Sequence, residues 1–439
     1  MAGILSEFET MSPEAMRGLQ VQRLKHQLEY VWTHSPFYRR KLGEAGIAPA
    51  DIETLEDFQR IPFTTKSELR DHNEEFFCVG SKRIVDIGAS AGTTGRPVLL
   101  PASGRDWEDL IRLKMRYLVG LGIGDDDVFQ IAAAFDQLFS LGTPIDDALK
   151  RLGVAVVRTG PGNARRQLEV MRRVGTTAIL CTPDFMFLLD EEARRLGLDP
   201  QLDFSLRMGI FFGQSLHTQD WRPNDLNRRI ADLWGIDVYS MYGTMEMLGA
   251  FVECKHHTGH HIYPDRVLTE IIDPETGACL QPGDTGEFVF THLIKEATPL
   301  IRFRQGDITR IETEPCRCGR TTPRLMAVLG RVDQMMKIKG TSVYPQQIEE
   351  ALQGVAEVTA YLIEAYTDER NTDRVRIKAA IDGPQDAIFA EIRAAVKAKA
   401  RIAPDLIEPA TQEEIVETWF SKSTRKPKRF WDNRKKTSE

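Results

Sequence analysis

The segment Val154–Leu180, VAVVRTGPGNARRQLEVMRRVGTTAIL, decides the fold class. A β-branched run leads through a glycine- and proline-containing turn into a helix-like stretch, Ala164–Val174, and the chain returns to an apolar run, Ala178–Leu180. Two more strand-like runs, Ile84–Ile87 and Val128–Ala132, come before it. Alternation of this kind predicts an α/β fold, with a parallel sheet covered by helices and ligands bound where strands hand over to helices.

The character of the sequence changes from about Thr269. The stretch 268–293, LTEIIDPETGACLQPGDTGEFVFTHL, has β-branched runs broken by Pro-Glu-Thr-Gly and Pro-Gly-Asp, which predicts antiparallel hairpins in a β subdomain. Beyond Gly330 the pattern is helix, strand, strand, helix, which predicts a small α+β unit. We therefore predict two domains, 1–330 and 331–439.

Composition narrows the class of protein. Of 439 residues, 42% are hydrophobic and 28% charged, as in ordinary globular proteins, and no apolar run approaches the roughly 20 residues that span a bilayer. The amino terminus lacks the features of a targeting segment, so we expect a cytoplasmic protein without a membrane partner. The net charge of −7 argues against nucleic acid as the main partner, although residues 422–436 are locally basic.

A loop rich in glycine and hydroxyl groups follows the first strand-like run. Its sequence, Ser90-Ala-Gly-Thr-Thr-Gly-Arg-Pro97, offers flexible backbone amides, three hydroxyl donors and one cation, all suited to a polyphosphate. The candidate residues are Ser90, Gly92, Thr93, Thr94, Gly95 and Arg96. The spacing differs from a Walker A loop, and an isolated loop of this composition is more often a simple turn.

Two short segments carry metal-ligand side chains. Residues 254–261, CKHHTGHH, supply one thiol and four imidazoles, and residues 316–319, CRCG, supply two thiols on a tight knuckle. A closed tetrahedral zinc site uses this donor chemistry, so we predict structural Zn²⁺ held by Cys254, Cys316, Cys318 and either His260 or His261. The alternative is that these cysteines are reduced and the histidines solvated.

Four further segments follow in a fixed order. They are Tyr242–Glu246 (YGTME), Phe303–Asp307 (FRQGD), Gly330–Asp333 (GRVD) and Arg425–Arg429 (RKPKR). Together with the Ser90–Pro97 loop, they resemble the adenylate-forming superfamily of acyl-CoA synthetases, peptide-synthetase adenylation domains and luciferases. The closest resemblance is to the phenylacetate-CoA ligase group, and it extends over nearly the whole chain.

This resemblance implies an ATP-dependent ligase with a small, mobile C-terminal domain. It would adenylate a small aromatic (aryl or arylacetic) carboxylate, release pyrophosphate and pass the acyl group to coenzyme A, with Mg²⁺ as cofactor. One alternative is an enzyme that loads the acid onto a carrier-protein pantetheine. Another is a non-catalytic, zinc-stabilised protein that binds nucleotide or nucleic acid. A homodimer is a possible assembly.

The resemblance also assigns roles to residues of the nucleotide site. The loop with Gly92, Thr93, Thr94 and Arg96 would hold the β- and γ-phosphates. Gly213, Gln214 and Ser215 would lie against the adenine, and Tyr242, followed by Gly243 and Thr244, would stack on the base. Glu246 would act with Mg²⁺, and Asp307 would accept hydrogen bonds from the ribose hydroxyls near Arg331. The superfamily has Thr or Ser directly before this glutamate, where the chain has Met245.

The remaining assignments concern motion, catalysis and the acid. Asp333 falls at the hinge about which the small domain rotates, and the Gly340 region would line the pantetheine path. Lys426 matches the catalytic lysine; Arg425 replaces the usual glycine before it, which leaves Lys428 as an alternative. Phe135, Phe139 and Gly142 would line the acyl pocket, although aromatic residues at this spacing are also typical of a core. In the zinc cluster, the resemblance favours His261 over His260.

Overall fold

Helices and strands alternate along most of the chain. The structure is a computed structural model that describes residues 6–90, 97–136, 138, 141–338, 341–369, 372–420 and 428–434, with only the backbone of Lys337, Ser342 and Phe420. Its α-helices are α1 Pro13–His34, α2 Pro36–Glu44, α3 Leu55–Phe58, α4 Lys66–Asp71, α5 Gly104–Gly120, α6 Gly142–Arg151, α7 Ala164–Val174, α8 Pro183–Arg195, α9 Asp225–Trp234, α10 Pro345–Gln353, α11 Gln385–Ala400 and α12 Gln412–Phe420. In the described ranges, none of these helices has the length and apolar character needed to cross a bilayer.

The strands fall into several sheets. They are β1 Ile84–Ser90, β2 Val98–Ser103, β3 Val128–Ile131, β4 Ala155–Arg158, β5 Ala178–Cys181, β6 Met208–Phe212, β7 Asp237–Thr244, β8 Gly249–Val252, β9 His260–His261, β10 Val267–Ile272, β11 Gly286–His292, β12 Phe303–Thr309, β13 Ile311–Glu312, β14 Arg324–Leu325, β15 Gly330–Arg331, β16 Met336–Ile338, β17 Thr341–Val343, β18 Val358–Thr367, β19 Asp373–Ile381, β20 Leu406–Pro409 and β21 Phe430–Asn433.

Two units emerge from the Cα positions. The first comprises residues 1–222, 227–305 and 309–327, and the second comprises 223–226, 306–308 and 328–439. The sequence-based boundary lay between Gly330 and Arg331, and the main segment of the second unit begins at Val328.

The largest sheet of the first unit has nine strands in the order β13-β14-β9-β8-β7-β6-β5-β3-β4. Strands β4, β3, β5, β6 and β7 run parallel, as the strand and helix alternation predicts. All four residues of β5, a central strand, are buried, whereas β4 lies at the edge and none of its residues is fully buried. Helix α7 begins after Asn163, whose side chain accepts a hydrogen bond from the Arg166 amide, and it ends at Gly175 with φ of +67°.

One expectation about the first strand was wrong. Strand β1 does not join the parallel sheet, because it pairs antiparallel with β2 in a separate two-stranded hairpin. The glycine-rich loop therefore connects two strands instead of a strand and a helix. A short apolar run carries no signal for its pairing direction, because antiparallel and parallel partners bury the same side chains.

The hairpins predicted after Thr269 are present, with β10 antiparallel to β11 and β12 beside β11 in the same sheet. In the second unit, β18 pairs antiparallel with β19, and β20 and β21 flank them in parallel. A core of buried aliphatic side chains such as Ile348, Ile363, Ile377 and Ile392 fills this unit, so the predicted helix, strand, strand, helix order forms an α+β body.

Candidate active site

The parallel strands bring several of the predicted loops to one edge of the nine-stranded sheet. The carboxyl ends of parallel strands lie at the same edge. The loop after β3 carries Phe135, the loop after β6 carries residues 213–215, and the turn after β7 carries Glu246. The candidate acyl and adenine residues therefore lie at the same edge of the sheet, although more than 100 positions separate the first from the last.

The turn after β6 has an unusual backbone and an unsatisfied side chain. Gly213 has a φ of +87°, which favours glycine. Within the described residues, the Oε1 and Nε2 atoms of Gln214 are buried and have no hydrogen-bond partner. The Ser215 hydroxyl donates to the carbonyl oxygen of His217 at 3.0 Å. The Ser215 hydrogen bond holds one end of this turn. The buried side-chain amide of Gln214 offers a donor and an acceptor to a ligand.

The end of β7 carries the YGTME motif. Tyr242 is half-buried, and Gly243 pairs so closely with β8 that an added Cβ would lie 2.6 Å from the carbonyl oxygen of Gly249. The Thr244 hydroxyl donates to Oε1 of Gln305 and accepts from the Met247 amide, each at 3.2 Å. This hydroxyl is engaged within the protein and does not replace the hydroxyl missing at Met245.

Asp307 and Arg331 belong to the second unit and lie on paired strands. Register places Asp307 of β12 opposite Arg331 of β15, and Nη1 of Arg331 is 3.3 Å from Oδ1 of Asp307. Asp307 is 7% exposed. Nε of Arg331 also donates to Oδ1 of Asp333 at 3.0 Å, while most of the Asp333 side chain is exposed. The arginine therefore links two carboxylates that the sequence assigned separately to ribose binding and to the hinge.

The acyl-pocket candidates lie between β3 and α6. Phe135 is in the loop, and Gly142 is the first residue of α6. A Cβ added at Gly142 would lie 2.9 Å from both the Ala134 carbonyl oxygen and Cδ1 of Phe135. The ring of Phe135 packs directly on the glycine backbone, so any larger residue at position 142 would displace the ring.

Several predicted residues lie outside the described ranges: Gly92, Thr93, Thr94, Gly95, Arg96, Phe139, Gly340 and Lys426. Ser90, at the end of β1, is half-buried. Lys428 is described, and its ammonium lies 4.0 Å from the centre of the Trp431 ring. A cation held over an aromatic face is a stabilising contact within the second unit, which disfavours Lys428 as the substitute catalytic lysine.

The predicted metal ligands converge in the first unit. One donor atom from each of Cys254, His261, Cys316 and Cys318 lies within 4.8 Å of the others, and we call this set the Cys/His cluster. Sγ of Cys254 is 3.7 Å from Sγ of Cys316, and Nε2 of His261 is 3.5 Å from Sγ of Cys318. His260 is outside this group, since its Nε2 lies 2.7 Å from Oγ of Ser240.

The geometry of the Cys/His cluster fits zinc. A tetrahedral ion with Zn–S bonds of about 2.3 Å sets neighbouring sulfurs about 3.8 Å apart. Nδ1 of His261 is 3.2 Å from the Thr322 hydroxyl, which leaves Nε2 directed to the sulfurs. Arg320 donates to Sγ of Cys318 at 3.5 Å and offsets thiolate charge. The hydrogen bond from the Cys254 thiol lowers the pKa of Cys316 well below its usual range.

A neighbouring set of polar residues, all buried except the half-exposed His257, was not found from the sequence. We call it the Glu253 cluster: Glu253, Ser240, His217, His257 and His260. Oε1 of Glu253 accepts hydrogen bonds from the amide and hydroxyl of Ser240 at 2.7 and 2.6 Å, and its Oε2 lies 3.0 Å from Nδ1 of His257. Four histidines within residues 254–261 exceed what one ligand set needs, and that excess was the available signal.

The chain is similar in sequence to known coenzyme A ligases. No family model matches the chain. The phenylacetate-coenzyme A ligase of Thermus thermophilus is 34% identical over 413 residues, which cover 93% of this chain and 90% of that protein. The chain belongs to the phenylacetate-CoA ligase family. The Escherichia coli phenylacetate-coenzyme A ligase is 35% identical over 353 residues, covering 79% of this chain and 78% of the relative.

Solved structures agree with this assignment to the phenylacetate-CoA ligase family. A 2-hydroxyisobutyryl-CoA ligase, crystallised in the postadenylation state with 2-HIB-AMP, superposes with a TM-score of 0.87 at 26% identity and covers 97% of this chain and 91% of that one. The predicted adenylate-forming α/β fold is thereby confirmed. As a member of the phenylacetate-CoA ligase family, the chain is an AMP-forming acyl-CoA ligase that joins an acid to coenzyme A through an acyl-adenylate.

Proposed function

We propose that this ligase activates an aryl or arylacetic acid. The observation that carries the proposal is the contact between Phe135 and Gly142, because it presents an aromatic face at the edge of the sheet where the adenine loop also lies. The curated relatives in Thermus thermophilus and Escherichia coli carry the name of an arylacetic acid, phenylacetate. The glycine at position 142 lets the Phe135 ring lie against the backbone, where this ring would form one wall of the acyl pocket.

The first reaction joins the acid to the nucleotide. A carboxylate oxygen of the acid attacks the α-phosphorus of ATP, the bond to the bridging oxygen breaks, and pyrophosphate leaves with its electron pair. The acid is already ionised near neutral pH, so the protein has to position the reactants and neutralise their charge more than move a proton. Mg²⁺ would be held near Glu246 and supplies charge neutralisation at the phosphates.

The nucleotide would be bound by residues from several of the motifs. The buried amide of Gln214 meets the donor and acceptor pattern of an adenine edge, and Tyr242 supplies a stacking face. Asp307 would accept both ribose hydroxyls, with Arg331 holding its carboxylate in place. The Ser90–Pro97 loop and Lys426 would contact the phosphates, as the resemblance implies.

The second reaction transfers the acyl group. The thiol of coenzyme A loses its proton and attacks the acyl carbonyl carbon, and AMP leaves with the electrons of the broken mixed-anhydride bond. Asp333 would serve as the hinge between the two reactions, and the Gly340 region would line the pantetheine path.

The Cys/His cluster would hold one structural zinc ion. Four protein donors complete a tetrahedral set and leave no position for water, which is the arrangement of structural and not of catalytic zinc. The cluster joins the segment before β9 to the knuckle before β14, and the backbone turn of that knuckle is closed by the Gly319 amide donating to the Cys316 carbonyl at 3.0 Å. Zinc would therefore stabilise this side of the nine-stranded sheet.

The test is pyrophosphate release from ATP and Mg²⁺ with benzoic, arylacetic and aliphatic acids, with and without coenzyme A. Turnover that requires an aromatic acid and coenzyme A supports the proposal, whereas preference for an aliphatic acid contradicts the assigned substrate class. A burst of pyrophosphate that coenzyme A does not convert to turnover would indicate a carrier-protein acceptor.

We also propose a reducing, cytoplasmic location, consistent with thiolate ligands, and a homodimer, which light scattering of the purified protein tests.

A further inference from the structure

The Cys/His cluster and the Glu253 cluster share two short stretches of backbone. In each of the pairs Glu253–Cys254 and His260–His261, one residue belongs to the Glu253 cluster and its neighbour to the Cys/His cluster. A change in the position of either metal-ligand segment therefore moves a member of the Glu253 cluster. In both pairs, a single peptide bond joins a member of one cluster to a member of the other.

The Glu253 cluster also reaches two elements of the candidate nucleotide site. Ser240, which gives two hydrogen bonds to Glu253, lies on β7 two residues before Tyr242. His217 lies two residues after Ser215, whose hydroxyl donates to the His217 carbonyl. Nε2 of His217 is 3.6 Å from Oε2 of Glu253, so this one carboxylate lies between β7 and the turn after β6.

Packing holds this arrangement rigidly. The Glu253 side chain is fully buried, and His217 is 2% exposed. The His217 ring stacks on Trp221 with centroids 4.3 Å apart and planes 3° from parallel, and the Trp221 ring meets His260 edge-on at 4.8 Å. Buried, close-packed polar groups of this kind have few alternative arrangements, so a displacement at one member is transmitted to the others.

We propose that Glu253 is a positioning residue that couples the Cys/His cluster to the nucleotide site. Its carboxylate holds Ser240 and the His217 segment at the separation that places Tyr242 and residues 213–215 for the adenine. Zinc at the Cys/His cluster fixes Glu253 and His260 through Cys254 and His261, and nucleotide affinity depends on this link. Coupling between two binding sites is reciprocal, so bound nucleotide also raises the affinity for zinc by the same factor. This inference rests on the proposed nucleotide and zinc sites.

The central test is Glu253→Gln, measured in the full-length, zinc-loaded protein. Glutamine keeps the shape and an oxygen that accepts from Ser240, but it loses the charge. We expect about one zinc per chain, an AMP dissociation constant raised about tenfold by calorimetry, and a KM for ATP raised by the same factor. We expect kcat and the KM for the acid to stay within about threefold, because the residues that Glu253 positions would contact the adenine and not the acid or the reacting atoms.

Glu191→Gln is the matched control, because this carboxylate is exposed on α8 and pairs with Arg195. If Glu253→Gln does not fold, Ser240→Ala replaces it, since the Ser240 amide still donates to Glu253; the expected rise in the AMP dissociation constant is then about threefold. A general loss of stability would lower kcat and raise both KM values together, and that outcome contradicts a positioning role.

The reciprocal test measures the zinc dissociation constant at equilibrium, by competition with a chromophoric chelator, with and without saturating AMP. AMP should lower this constant about tenfold in the wild-type protein and have no effect on it in Glu253→Gln. Unchanged AMP affinity in zinc-loaded Glu253→Gln overturns the inference, and so does loss of zinc from this variant, because Glu253 would then serve the metal alone. A wild-type protein that binds zinc but not AMP would instead remove the proposed nucleotide site.

Discussion

Nε2 of His261 lies 3.5 Å from Sγ of Cys318, although 57 positions separate the two residues in the chain. The contact joins strand β9 to the knuckle that precedes β14, and these two strands pair antiparallel through His260–His261 and Arg324–Leu325. Cys254 and Cys316 complete the set from the same two segments. Side chains from two segments that are distant in sequence converge here, which is a common arrangement for a structural metal.

Removal of one zinc ligand should lower stability. We expect Cys316→Ser to lose its zinc and to unfold about 5–10 °C below the wild-type protein, because the remaining donors cannot complete a tetrahedral site. Metal analysis and thermal unfolding of protein purified without a histidine tag measure the effect. The control is Cys279→Ser, a cysteine outside the Cys/His cluster. Equal zinc content and equal melting temperatures in the wild-type and Cys316→Ser proteins would refute the metal site.

Asp307→Asn should weaken ATP binding. The ribose hydroxyls need two acceptor oxygens, and an amide supplies only one while also losing its ion pair with Arg331. We expect the KM for ATP to rise about tenfold or more, with a smaller change in the KM for the acid. Steady-state pyrophosphate release gives both constants, and Asp284→Asn, at a turn between β10 and β11, is the control. Equal KM values for ATP in Asp307→Asn and Asp284→Asn would contradict the role of Asp307 in ribose binding.

Substitution of the two lysines of the RKPKR motif should have clearly different effects on acyl-adenylate formation. Lys426→Ala should reduce the rate of acyl-adenylate formation by about 100-fold or more, as expected for loss of a cation acting on the transition state. Lys428→Ala should retain most of the activity, because the Lys428 ammonium lies over Trp431 instead. Acid-dependent exchange of labelled pyrophosphate into ATP isolates this half-reaction. A large loss of exchange in Lys428→Ala with a small loss in Lys426→Ala would assign catalysis to Lys428.

Enlargement of Gly142 should narrow the acyl pocket. An alanine Cβ would lie 2.9 Å from Cδ1 of Phe135, so the ring must shift. We expect Gly142→Ala to lower kcat/KM for arylacetic acids about tenfold or more and to leave the KM for ATP nearly unchanged. Gly124→Ala is the control, because nothing lies within 4 Å of an added Cβ there. A parallel loss for all acids, including small aliphatic ones, would indicate a folding defect and not a pocket wall.

Lys114 on α5 should make stability depend on pH. Burial, aided by the charge of Arg266, lowers its pKa to about 7, and the side chain is almost fully enclosed. An unfolded lysine has a pKa of about 10.4, so between pH 7 and 10 the unfolded chain binds more protons than the folded one. Burial of this lysine therefore lowers the free energy of unfolding by its full amount below pH 7. The effect diminishes as the pH rises, by about 1.4 kcal/mol per pH unit.

Lys114→Met removes this penalty while keeping a similar length of apolar side chain. We expect the variant to melt above the wild-type protein at pH 7 and the difference to shrink at pH 9. Thermal unfolding at both pH values measures it, with the exposed Lys150→Met as control. If the difference in melting temperature between Lys114→Met and the wild-type protein is constant or grows with pH, burial does not lower the pKa of Lys114.

The sequence by itself determined the strand and helix order, because alternation of apolar runs records which faces are buried. Helix α7 has the bounds predicted from Ala164 to Val174, and α10, which begins at Pro345, is the first helix of the order predicted beyond Gly330. The motif order was sufficient for the family, since five motifs in register are far more specific than any one. The donor types at Cys254, Cys316 and Cys318 were sufficient to suggest zinc chemistry.

Only the tertiary structure decided which partners these residues meet. The antiparallel pairing of β1 with β2 and the ion pair between Asp307 and Arg331 depend on strand register and on which face each side chain occupies. The excess of histidines in residues 254–261 was a signal, but the membership of the Glu253 cluster could not be foreseen, because its members come from positions 217 to 260. Long-range pairing is set by the packing of the whole sheet, to which local sequence contributes only the buried face.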